Sequence, residues 1–182
     1  PFTYFFFDLY NRKNINFISI LGFVNVLLTG GIGIFGEKYG LTRTSFILKE
    51  GLMPLIIGSF LIVLSKFKKQ TFDKMILNKA LFDIEKIKED QNSENLNKID
   101  TFTTEAGYYF IAGFFISSII QFILAYLIVT DNPGDPGFNE QVSTMTWVSY
   151  IAVLGPTIII VGKGYLNLIN GIEKLIGLKN TF

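Results

Sequence analysis

Residues 107–130 read GYYFIAGFFISSIIQFILAYLIVT. The stretch carries no charge, and Gln121 is its only strongly polar side chain. It is longer than the roughly 20 apolar residues that a helix needs to cross a bilayer. A soluble core helix of that length keeps a polar stripe, and this one has none. Tyr108 and Tyr109 at one end and Tyr126 near the other stand where aromatic belts mark a membrane interface. The stretch predicts a transmembrane helix, and the chain an all-α polytopic membrane protein.

Three more spans are expected around it, giving four. Residues 15–35 are uncharged and rich in glycine, with Asn25 near the middle; glycines let a neighbouring backbone come close. Residues 46–65 contain Lys49 and Glu50 in the first turns and Pro54 just beyond. Charges at that position anchor at the interface or, alternatively, form a polar site facing the bundle interior. Pro54 removes a backbone hydrogen bond and predicts a kink. Residues 145–168 contain Gly155-Pro156 at the centre, a second predicted kink, and Lys163 late in the span, placed to snorkel to the nearer interface.

The connections are polar. Thr44 or Ser45 is placed to cap the second span, and Asp100 or Thr101 the third. Residues 66–100 hold eight lysines and seven acids. Within them Phe72, Ile76, Ala80, Ile84 and Ile87 recur at near-helical spacing, which predicts an amphipathic helix over 70–89, on the membrane surface or on a partner, with a simple charged interhelical loop the commonest outcome for such a segment. Residues 90–98 read as a linker. Residues 131–144 contain two Pro-Gly turns and read as a rigid loop. Asp131, Asp135 and Glu140 lack the ligand spacing of a calcium loop, so no metal site is expected.

Composition narrows function. Among 182 residues there is no cysteine and no histidine, which excludes disulfides, thiolate metal sites and the commonest general base. The net charge of +1 gives no field for nucleic acid. No nucleophile–base pair or phosphate loop stands out, so an enzyme is not expected. The mean hydropathy of +0.42 is moderate because the polar 66–100 segment dilutes four apolar spans. Lysines flank the cytoplasmic side by the positive-inside rule, which places 66–100 and both ends on the cytoplasmic (or matrix or stromal) side. The 131–144 loop, without Lys or Arg, then lies outside, together with residues 36–45, whose Lys38 and Arg43 run against the rule. PFTYFFFDLY at the start is too short to span and lacks signal-peptide features, which predicts that a helix precedes Pro1.

PFTYFFFDLYNRKN, the glycine-rich GIGIFGEKYG, Lys49-Glu50 in LKEGLMPLIIG and VLGP at 153–156 together resemble small bacterial inner-membrane proteins similar in layout to intracellular septation protein A. The resemblance covers most of the chain and departs from it in the 66–100 segment. It implies inner-membrane location, topology and a hairpin before Pro1, and no catalytic residue.

The expected function is a non-enzymatic accessory or structural subunit of a larger membrane complex, in a bacterial inner membrane or an organelle, where respiratory and photosynthetic assemblies both fit. Its partners are membrane lipids and other subunits or further copies of the chain. No cofactor is expected, although Asn25 and Gln121 leave room for lipid or pigment contacts. The alternative is a small oligomeric transporter or channel using Lys49, Glu50 and Lys163.

Overall fold

The computed structural model describes residues 17–77 and 92–176, with side chains of the first helix from Phe23 onward. Among the described residues six α-helices follow in order: α1 Phe17–Phe35, α2 Arg43–Phe67, α3 Lys69–Ile76, α4 Ser93–Ile128, α5 Phe138–Ala152 and α6 Leu154–Ile176. The described residues contain no strand. Three stretches are long and apolar enough to cross a membrane: Arg43–Phe67, Ser93–Ile128 and Phe138–Leu175. The apolar part of α1 with described side chains is the shorter Phe23–Phe35.

The helices are longer than the apolar runs inside them. The 36 residues of α4 rise about 54 Å, against roughly 30 Å of hydrocarbon. Its first turns, up to Glu105, are polar, so α4 begins well before the run at Gly107. Residues 93–98, expected as linker, belong to it, and neither Asp100 nor Thr101 caps it. Asn92 does, accepting the Asn95 N–H at 2.9 Å. The cap of α2 also falls earlier than Thr44: Thr42 precedes the first turn, and its N–H bonds Ser45 Oγ at 3.3 Å. Residues 138–144, expected as loop, open α5, because Phe138 is buried and packs edge-on against Phe46 at 5.4 Å. Between α5 and α6 only Val153 departs from helix; Pro156 has no N–H for the Ala152 carbonyl, and the break falls at the predicted kink.

The chain divides into two compact units. One combines Pro1–Met53 with Phe122–Val148. Its core is Ile32, Phe46, Ala125, Val129, Phe138 and Met145. The turn after α1 and the loop after α4 pack together here: a Cβ on Gly36 would lie 2.5 Å from Pro133, and Gly134, at φ +100°, leaves no room for one beside Glu37. Asp135 accepts the Asn132 N–H at 2.8 Å, and Gln141 accepts those of Thr130 and Asp131 at 2.8 and 3.0 Å.

The other unit combines Pro54–Gln121 with Ser149–Phe182. Small residues set its spacing. Gly58 faces Phe114 and Phe115, Gly113 faces Val161 and Thr157, Gly164 faces Tyr109, and Gly171 faces Phe102. Ser117 and Thr157 share a hydrogen bond of 2.9 Å. At the polar end lies a second core, built on Leu61, Leu64, Phe72, Ile76, Ile99, Leu168 and Ile172. The described part of the expected amphipathic helix, α3, is shorter than 70–89 and is buried against its own chain; residues 78–91 lie outside the described residues. Phe72 fills the space above Gly107, and Tyr165 donates to the Ile76 carbonyl at 3.0 Å.

Two outcomes follow. Phe72→Ala empties a site that is 1% exposed and lowers stability by about 3–5 kcal/mol, read as a fall in the melting temperature in detergent; an unchanged melt would mean that α3 is not docked. On the exposed first turn of α4, the hydrogen bond from Lys98 at 2.6 Å, then its charge, hold the Glu94 carboxyl below its ordinary range. That contribution is present above the ordinary pKa and is lost as pH falls through the lowered one. Lys98→Met moves the Glu94 titration midpoint upward in an NMR titration.

Candidate functional site: a buried Lys–Glu pair

The most polar point inside the apolar helices lies in the first unit. Lys49 and Glu50 are neighbours on α2, about 100° apart around the helix. Their side chains are only 10% and 12% exposed. Lys49 Nζ lies 2.5 Å from Glu50 Oε1. The third member comes from α1: Lys49 Nζ donates to Thr29 Oγ1, and Thr29 donates to Glu50 Oε1 at 3.3 Å. The ammonium also stands 5.8 Å over the Phe46 ring. Three groups thus close a neutral triangle. In an apolar medium this closure is what makes two charges tolerable, since an isolated one there costs far more than it gains.

The surroundings follow from sequence spacing. Asn25, Thr29 and Gly33 recur every four residues and line one face of α1. Gly33 lets that face approach α5, where Asn139 Oδ1 would lie 3.0 Å from an added Cβ. One turn before Thr29, the Asn25 amide oxygen is buried and has no hydrogen-bond partner among the described residues. On α2, Pro54 withholds the N–H that the Glu50 carbonyl would accept in an unbroken helix. Gly51, beside the pair, lies under the Phe122 ring with no space for a side chain.

Arg43 holds this end of the unit together. Its Nε donates to the Val129 carbonyl and a terminal nitrogen to the Tyr126 carbonyl, each at 2.5 Å. Its guanidinium sits 5.1 Å over the Tyr126 ring, and its own N–H bonds Asn132 at 3.0 Å. The last carbonyls of α4 are the negative end of its dipole, and a cation there is favourable.

The remaining polar candidates lie in the other unit. Gln121 accepts a hydrogen bond from Ser149 at 3.3 Å. Lys163 is exposed, on the outward side of α6. The structure therefore joins Lys49 to Glu50 and adds Thr29, which hydropathy marks only as one polar residue in an apolar run. It leaves Gln121 and Lys163 in separate surroundings. Comparison with protein-family models, curated proteins and solved structures finds no match.

Removing one member of the pair strands a buried charge. Lys49→Met or Glu50→Gln alone costs about 3–5 kcal/mol. The double Lys49→Met, Glu50→Gln variant costs less than either, because no charge remains. Melting temperatures of the four proteins in one detergent read the cycle; additive losses would contradict the pairing.

Proposed function

We propose that this is a non-enzymatic, four-span subunit of a larger membrane assembly, working by the docking of its helix faces. The observation that carries this reading is the outward face of α6. Cβ atoms added at Gly155 and Gly162 meet nothing within 4 Å. The two are seven residues apart, hence on one face, with Ile158, Ile159 and Leu166 60–73% exposed around them. Lipid gains nothing from a bare glycine, whereas a neighbouring helix gains close packing. The same helix uses Gly164 and Gly171 in that way within the chain. Gly30 and Gly31 on α1 are equally open.

Orientation fits the same reading. The turn after α1 and the loop after α4 lie together, as residues on one membrane side must. Arg43, whose charge ran against the positive-inside assignment, is committed to helix carbonyls and a ring. Lys66, Lys68 and Lys174 stand exposed at helix ends assigned to the cytoplasmic (or matrix or stromal) side.

A small oligomeric transporter is the second reading, favoured by the buried Lys49–Glu50–Thr29 triangle one turn before Pro54. Intramembrane ionisable groups commonly mark pathways.

Gentle extraction from the native membrane, native gel separation and mass spectrometry of the band separate the two. The docking reading expects a large band with other subunits, lost in a Gly155→Leu, Gly162→Leu variant that melts as the parent does. A band of this chain alone contradicts it and favours transport; flux in reconstituted vesicles that is abolished by Glu50→Gln then supports that reading.

A further inference from the structure

A second strip runs beside the glycine face of α6. Lys163, Asn167, Asn170 and Lys174 recur at i, i+4, i+7 and i+11, which keeps them within about 60° of one another around the helix. All four are exposed. Among the described residues neither lysine forms an ion pair, whereas Lys69 nearby is held by Asp100.

Helix register gives the depth of the strip. Gly164 packs on Tyr109 and Gly171 on Phe102. Lys163 is thus level with the first residues of the apolar run at 107–130, beside the interfacial Tyr108 and Tyr109. Lys174, eleven residues on, lies about 16 Å further toward water. The headgroup layer is roughly 5–8 Å thick on each side of the hydrocarbon. It therefore covers Lys163 and Asn167; Asn170 stands just outside it, and Lys174 lies about a Debye length further into water. On the hydrocarbon side, Ile159 one turn deeper is 73% exposed.

We infer that this strip binds an anionic phospholipid. Its phosphate sits between Lys163 and Asn167, the outer headgroup meets Asn170, and an acyl chain lies along Ile159. Lys163 at headgroup depth, with Lys174 adding its charge from the water side and neither held by an acidic partner among the described residues, selects a negative headgroup over a zwitterionic one. The inference rests on membrane insertion; the lysines lie about 80–100° around the helix from Gly155, and Ile159 borders both surfaces.

Native mass spectrometry of the full chain in a mild detergent, titrated with phosphatidylglycerol and with phosphatidylcholine, tests it. The parent is expected to prefer phosphatidylglycerol. At about 1 kcal/mol for a lysine at the surface, Lys163→Gln reduces that preference about fivefold; adding Lys174→Gln, about a Debye length further out, brings the loss to about tenfold. These exposed substitutions leave the helical circular dichroism unchanged. Lys66→Gln with Lys68→Gln, on another helix end, leaves the preference within twofold. Equal binding of the two lipids by the parent overturns the proposal. So does an equal loss in the Lys66, Lys68 variant, which would mean diffuse attraction, or a native complex in which another subunit covers Lys163.

Discussion

The first unit depends on one constraint: two charges placed next to each other in an apolar helix have to neutralise each other. Lys49 and Glu50 do so only with Thr29, which bridges ammonium and carboxylate. That bridge ties α1 to α2 at a fixed height and rotation. The rest of the unit is consistent with it. Gly33 allows α1 to lie close to α5, Gly51 allows Phe122 to lie close to α2, and Phe46 packs between the ammonium and Phe138. A buried ion pair is weak as a source of stability, but it penalises every alternative register that separates its members.

In the second unit the corresponding role falls to small residues. Gly58, Gly107, Gly113, Gly164 and Gly171 each take an aromatic or branched side chain of a neighbouring helix, and hydroxyls such as Ser117 and Thr157 pair across the gap. This packing suits a medium in which apolar burial alone gives no drive for helices to associate. At the polar end the character changes. Phe72, Ile76, Ile99, Leu168 and Ile172 form a core of the kind found in water-soluble proteins, and there the ordinary hydrophobic effect operates. The one chain thus uses two packing rules, divided by the level of Gly107 on α4.

The apolar runs around Pro54, Gln121 and Pro156 were legible in the sequence, because hydropathy reports what the membrane contacts. Helix ends were not, because a helix continues as long as its backbone bonds are met. Leu96, Ile99, Phe102 and Ala106 do carry a helical period before Gly107, and that signal marks the aqueous part of α4. Phe138 similarly marks the start of α5, but a single aromatic after Pro136-Gly137 gives no period. Lys49 and Glu50 stood out as candidates from their position alone. Their partner Thr29 did not, since nothing in a sequence tells which of several polar residues on α1 meets α2. Arg43 was read as a loop charge for the same reason: its partners are carbonyls more than eighty residues away.

We propose that α2, α4 and the α5–α6 stretch cross a membrane, with the turn after α1 and the loop after α4 on one side. The chain contains no cysteine, so single cysteines can be placed without a background. Labelling of Lys38→Cys, Asp135→Cys, Gln70→Cys and Asn97→Cys by a membrane-impermeant maleimide, in sealed vesicles of both orientations, is the direct measurement. Positions 38 and 135 are expected to label together from one side, and positions 70 and 97 together from the other. Labelling of all four from the same side would contradict this topology.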